Sequence, residues 1–187
     1  MSFYVARNML ARLTLALSTL CVTLLAFPSE SGAETVAVAP DESYFVTQEY
    51  KGRWFERCEF KNPSNHPVDL DDSSWPGFYT ISPDSRWLFR IQKTGSGDNV
   101  GILYRVDPNG RVSKCLGFDD ALWRASDEIS RLKRSELYHT GITSAEWDKT
   151  TRQLAISIRG SNNSKSEDGI ESTFLYDLKS NVFRENK

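Results

Sequence analysis

The chain has 187 residues, with 23 Lys plus Arg against 25 Asp plus Glu and a formal net charge of -2. This balance excludes a polybasic nucleic-acid binder, because neutralising phosphates needs a clustered surplus of basic side chains. Hydrophobic residues make up 39% and aromatic residues 12%, enough to bury the core of one globular domain and well above a disordered composition.

Residues 1–33 read as a secretory signal. Arg7 and Arg12 form the basic head, residues 13–27 are apolar, and Pro28 leads to the small-residue site Ser31, Gly32 and Ala33. The apolar run is short of the ~20 residues a membrane span needs, so cleavage is expected after Ala33, leaving no span in the mature protein. A second site ending at Ala39 would place Pro40 just after the cut, which suits it poorly. Cys21 falls within the discarded segment. Cys58 and Cys115 remain, and in an oxidising periplasm an even pair predicts a disulfide. In the chain-entropy picture it would contribute about 3–4 kcal/mol.

Residues 34–43 are small and polar around Pro40 and read as a flexible leader before a single β-rich domain at 44–187. Residues 54–60 alternate as a strand, with Trp54, Glu56, Cys58 and Phe60 on one face and Phe55, Arg57 and Glu59 on the other. Aromatic residues at both ends of the strand predict cover on two sides. Residues 61–76 hold three Pro and read as a loop.

A meander follows. Residues 78–81 and 86–91 are strands about a turn with Pro83, and the polar tip 95–99 leads to a strand at 102–106. Asn109-Gly110, both tolerant of positive φ, then turn the chain into residues 111–115. Beyond a predicted helix the same order returns at 141–147, 153–158, 172–178 and 182–183, with a longer tip at 160–169. Leu88 aligns with Leu154, and Leu103-Tyr104 with Leu175-Tyr176, so the meanders read as a repeated unit. The helix is capped by Asp119 or Asp120, and Leu122, Ala125, Ile129, Leu132 and Leu137 form its apolar stripe.

The stretches 81–89 and 145–155 resemble the strand-turn-strand of β-propeller blades of the TolB and WD types. This implies a mainly β fold in which two blade-like antiparallel meanders pack together, as a partial propeller or sandwich, with one connecting helix. In size, export address and β-rich pattern the chain also resembles periplasmic immunity proteins acting against peptidoglycan amidases delivered by type VI secretion. That resemblance implies an inhibitor inserting a polar, Ser-bearing loop into the amidase cleft, with Ser96 on the first tip or Ser161 and Ser164 on the second as the matching residues.

Other chemistries find less support in the sequence. Cys58 with His66 or His139 would make a Cys/His hydrolase, but neither has a nucleophile signature and the disulfide would be lost. Gly95-Ser96-Gly97 lacks the spacing of a nucleophile elbow. Asp69, Asp71 and Asp72 supply hard oxygens for calcium without the glycine and terminal Glu of a calcium loop, leaving an acidic solvated loop or an ion site. The glycines at 95, 97 and 101 precede a strand and not a helix, so they form no phosphate loop. Asn162-Asn163-Ser164 is a glycosylation acceptor by pattern.

The polar tips are therefore the expected recognition elements: Ser96, Gly97, Asp98 and Asn99 on the first, and Ser161, Asn162, Asn163 and Ser164 on the second. The expectation is an exported, non-enzymatic protein-binding module with no cofactor, metal or nucleic-acid partner. Its partner would be another envelope protein, a peptidoglycan amidase effector being the leading candidate. A small envelope hydrolase or a ligand-sensing accessory module are the alternatives.

Overall fold

Alternating side chains and turn residues organise the chain into three four-stranded antiparallel meanders, seen in a computed structural model that describes residues 32–130, 133–149, 153–161 and 169–186. The N-terminal sheet holds β1 (Glu34–Val38), β2 (Tyr44–Tyr50), β3 (Trp54–Phe60) and β4 (Val68–Asp69). The central sheet holds β5 (Gly77–Ile81), β6 (Trp87–Lys93), β7 (Asn99–Val106) and β8 (Val112–Lys114). After α1 (Phe118–Ser130), the C-terminal sheet holds β9 (Tyr138–Trp147), β10 (Gln153–Ser161), β11 (Gly169–Asp177) and β12 (Val182–Glu185). The protein is thus mainly β with one α-helix among the described residues, and the expected signal segment lies outside them except for Gly32 and Ala33.

Both expected meanders form, and their alignment holds at the level of register. Leu88 pairs with Tyr104 across β6 and β7, Leu154 pairs with Tyr176 across β10 and β11, and both leucines are fully buried. The third sheet was not expected. Residues 34–43, expected as a flexible leader, supply edge strand β1, which pairs with β2 through a register shift between Thr35 and Ala37. The loop 61–76 contributes the two residues of β4, paired with Arg57 and Cys58.

Strand β6 places the central sheet in the middle because it is buried on both faces. Leu88, Arg90 and Gln92 alternate with Phe89 and Ile91. One face meets Val46, Cys58 and Leu70 of the N-terminal sheet. The other meets Ile142, Leu154, Ile156, Ile158 and Phe174 of the C-terminal sheet, together with Phe118, Leu122 and Trp123 of α1. The first strands lie in sequence, β1 beside β5 and β5 beside β9. Strand β3 is buried on one face, through Glu56 and Cys58, and partly covered on the other, where Phe55 and Glu59 are half-buried and Arg57 is exposed.

The described helix does not reach Leu137, and Leu132 of the expected stripe lies outside the described residues. Its buried residues are Phe118, Leu122, Trp123 and Ser126, Ile129 is exposed, and Leu137 packs on the core only after a 3-10 turn at Arg134–Glu136. Asp119 sits inside the first turn. One carboxylate oxygen accepts the Gly101 amide at 2.8 Å and the other accepts Arg134 Nη1 at 2.6 Å, so it ties the helix to β7. Phe118 joins both sheets, its ring edge-on to Phe89 at 5.7 Å and to Tyr176 at 5.0 Å.

Between the N-terminal and central sheets lies a buried ion pair, Arg90 with Glu56, both 0% exposed. Glu56 Oε1 accepts from Gln48 Nε2 and from the Gly77 amide, each at 2.6 Å, while Oε2 accepts the Tyr79 hydroxyl at 2.6 Å and faces Arg90 Nη2. The carboxylate is therefore well served. The guanidinium is held from fewer sides: it pairs with Glu56 through Nη2 and lies beside the Tyr104 hydroxyl. Gly77 is required here, since an added Cβ would lie 2.7 Å from Arg90 Nε.

The expected Cys58–Cys115 disulfide is not formed; both thiols are free. The reason is their placement. Cys58 is buried in the core between the N-terminal and central sheets, whereas Cys115 packs beside the core on the other side of the central sheet.

Candidate functional site

The first tip closes on itself before it meets anything else. The Asp98 carbonyl accepts the amides of Thr94 at 2.9 Å and Gly95 at 3.3 Å, and Gly97 turns the chain at φ 93. The tip is then fastened to the C-terminal sheet at two points. Asn99 Oδ1 accepts the Ile142 amide at 2.6 Å and its Nδ2 donates to the Ile142 carbonyl at 3.1 Å, so this side chain copies a strand neighbour. His139, itself at φ 50, donates from Nδ1 to the Ser96 carbonyl at 2.8 Å. That bond fixes the proton on Nδ1.

Two glycines allow the approach. A Cβ at Gly141 would lie 2.7 Å from Asn99 Nδ2, and one at Gly97 would lie 2.5 Å from His139 Nδ1. Two of the expected recognition residues are therefore occupied internally: Asn99 by its side chain, and Ser96 by its backbone carbonyl. Gly97 and Asp98 line the surface beside them.

That surface is a groove of about 480 Å³ where the core between the central and C-terminal sheets opens to solvent. Phe78, Ile91, Ile142 and Thr143 form its floor and walls, with Lys93 and Asp98 at the rim. Phe78 pairs with Ile91 across β5 and β6 yet is 70% exposed. Nearby, Trp75 lies 5.4 Å from Lys93 Nζ in a cation–π contact, and Gln92 Nε2 donates to the Trp75 carbonyl at 3.0 Å, anchoring that loop. The arrangement offers an apolar contact area rimmed by one cation and one carboxylate on an immobilised scaffold, which is suited to recognition.

The second tip contributes differently. Ser161 is buried at the end of β10, paired with Tyr138 and Gly169, and belongs to the ladder. Asn162, Asn163 and Ser164 lie outside the described residues.

The other sequence candidates have structural roles. Burial first, then the charge of Glu59, pushes the Cys58 thiol up to about 12, the opposite of an activated nucleophile. His66 is exposed on the loop between β3 and β4, and His139 is committed to the tip. The three loop aspartates face different basic groups: Asp69 bonds Arg57 Nε at 2.6 Å, Asp72 lies 3.0 Å from Arg53, and Asp71 contacts Lys114. The helix of the described chain is not long and apolar enough to cross a membrane.

Sequence reasoning missed Phe78, Lys93 and Ile142 as parts of a site, and weighed His139 only as the partner of a hydrolase cysteine. The one available signal was Trp75 and Phe78 flanking Pro76-Gly77, aromatic residues too close to a loop to be wholly buried. No protein-family model matches the chain, and no curated protein is similar to it.

Proposed function

We propose that this chain is an exported, non-enzymatic binding module of the bacterial envelope, an inhibitor or immunity protein that blocks a cell-wall-degrading effector. The observation that carries this reading is the clipped tip beside an exposed phenyl ring. Asn99 and His139 hold the tip in place before any partner arrives, so little ordering cost remains for binding. Phe78 then supplies an anchor of the kind that dominates interfaces, and the Gly97-Asp98 segment with Lys93 supplies the polar rim. The tip would enter the effector's cleft while Phe78 packs against its mouth.

Two variants test the reading. Phe78→Ser removes the anchor and Asn99→Ala releases the clip. With a partner captured from native envelopes and purified, calorimetry is expected to give an affinity at least tenfold weaker for Phe78→Ser, about 1.4 kcal/mol. Its thermal stability should stay close to that of the parent, because surface substitutions usually remain within about 0.5 kcal/mol. Unchanged affinity in both variants would remove this end of the molecule from the interface.

A further inference from the structure

Each outer sheet turns one face to the central sheet and presents the other outward. On the outward face of the N-terminal sheet, Val38, Phe45 and Glu59 stand in one row across β1, β2 and β3, since Val38 pairs with Phe45 and Phe45 with Glu59. Their chain neighbours Ala37, Val46 and Cys58 face the core, which fixes the direction of the row. On the outward face of the C-terminal sheet, Ala155, Leu175 and Arg184 form a row across β10, β11 and β12 by the same register. Here Leu154, Phe174 and Phe183 are the core-facing neighbours.

The two rows match in order and in chemistry. Each begins with a small or branched apolar side chain, continues with a larger one and ends in a charge, an anion in one sheet and a cation in the other. Val38 is 56% exposed, Phe45 and Leu175 are half-buried, and Arg184 is exposed. Glu59 accepts the Thr47 hydroxyl at 2.9 Å, and neither it nor Arg184 has an ion-pair partner among the described residues. Beside each row lies a hydroxyl pair, Thr35 with Thr47 in one sheet and Ser157 with Thr173 in the other, so neither face carries a bulky obstacle there.

The stacking already present says which strands would meet. Gln48 of β2 donates to the Gly77 carbonyl of β5 at 2.7 Å, and Glu56 of β3 pairs with Arg90 of β6, so the N-terminal sheet lies one strand out of step with the central one. The central and C-terminal sheets are offset in the same sense, with β7 beside β9. One further step of one strand sets β10, β11 and β12 over β1, β2 and β3 of another chain. Ala155 then meets Val38, Leu175 meets Phe45, and Arg184 meets Glu59.

We propose that two copies of this chain assemble head to tail, the outward face of each C-terminal sheet on the outward face of the other copy's N-terminal sheet, closing a ring of six sheets. A second copy covers both outward faces at once. Contacts between unlike faces of identical chains form rings when the rotation closes, and six falls within the roughly four to eight four-stranded sheets that radial assemblies contain. The apolar pairs supply contact area, while the Glu59 and Arg184 charges fix the register.

Sedimentation velocity of the mature protein is expected to show a concentration-dependent dimer. Glu59→Arg and Arg184→Glu each place like charges at both contacts, and each should weaken dimerisation at least ~10-fold while melting with the parent. Mixed in equal amounts, the two variants bring opposite charges together at both contacts, so a mixed dimer of parental affinity is expected. A monomer at concentrations up to about 100 μM would overturn the proposal, as would a dimer indifferent to both substitutions or one that mixing fails to restore. A mass above two chains would overturn it too, because the faces would then meet without closing.

Discussion

Against the C-terminal sheet, the central sheet presents Phe89 and Leu103, which meet Ile156, Phe174 and the edge-on rings of Phe118 and Tyr176. Against the N-terminal sheet it presents Leu88 and Tyr104, but also Arg90, wholly buried and paired with Glu56. One interface is apolar and joined by a helix; the other is built around a charge pair that must be satisfied from both sheets. Dispersion and burial act over many small contacts and tolerate slight rearrangement, whereas a desolvated ion has few arrangements that meet its needs. The N-terminal sheet is therefore set by one polar constellation, and the C-terminal sheet by shape.

The largest expected effect comes from breaking that constellation. Arg90→Ala leaves Glu56 buried without its counter-ion, and Glu56→Ala leaves the guanidinium with no carboxylate; each should cost about 3–5 kcal/mol in chemical denaturation. Replacing both, Arg90→Met with Glu56→Leu, should recover most of that loss, because two charges no longer have to be desolvated. A double variant no more stable than the single ones would refute the contrast between the interfaces.

The equivalent leucines sharpen the comparison. Leu88 faces the N-terminal sheet and Leu154 the helix side, each fully buried at the same register position. Leu→Ala at either should cost roughly 2–5 kcal/mol. Loss should be greater at Leu88 if the ion pair prevents its surroundings from collapsing into the cavity, and denaturant midpoints of the two variants decide this. Smaller again is Asn99→Ala, which deletes two hydrogen bonds to Ile142 and should cost about 1–2 kcal/mol. Its mark is local: amide exchange at Ile142 and across 94–98 should quicken while β10 stays protected.

The C-terminal half was the more legible in sequence, and the contrast explains why. Strand β10 alternates buried Leu154, Ile156 and Ile158 with Ala155 and Ser157, so its period and face are written in its own residues. Turn residues Pro83 and Asn109-Gly110 marked the ends of the central strands in the same local way. The N-terminal sheet lacks such signals: β1 is an edge strand with four of its five residues exposed, and β4 has only two residues. Nothing local marks Arg90 and Glu56 as an ion pair, because their burial depends on each other across two sheets. The cysteines misled for a related reason, since an even count carries no information about which side of a sheet each thiol faces. At the site, the tip residues were found from composition, but their attachment to β9 through Asn99 and His139 is tertiary and had no local signature.

The smallest expected effect lies on the acid limb of stability and compares one turn from each outer sheet. Asp41 closes the β1–β2 turn, and its pKa is held below 3.8 chiefly by the Ser43 hydroxyl, against the opposing pull of burial. Asp177 does the same for the β11–β12 turn through the amides of Ser180 at 3.0 Å and Lys179 at 2.8 Å. In both, the folded state favours the ionised form, so fewer protons are bound in the folded chain than in the unfolded one. Their contribution is complete above the ordinary carboxylate range and is lost as pH falls through the depressed folded values. Because both groups are largely exposed, solvent screening keeps each contribution small. Denaturant midpoints measured from neutral pH to about pH 2 should therefore fall slightly less steeply for Asp41→Asn and Asp177→Asn than for the parent. If only Asp177→Asn flattens the limb, the Asp41 turn is held by the hydrogen bond from the Asp41 amide to Ser85 Oγ and not by its carboxylate, and the N-terminal sheet depends still more on its contacts with the central one.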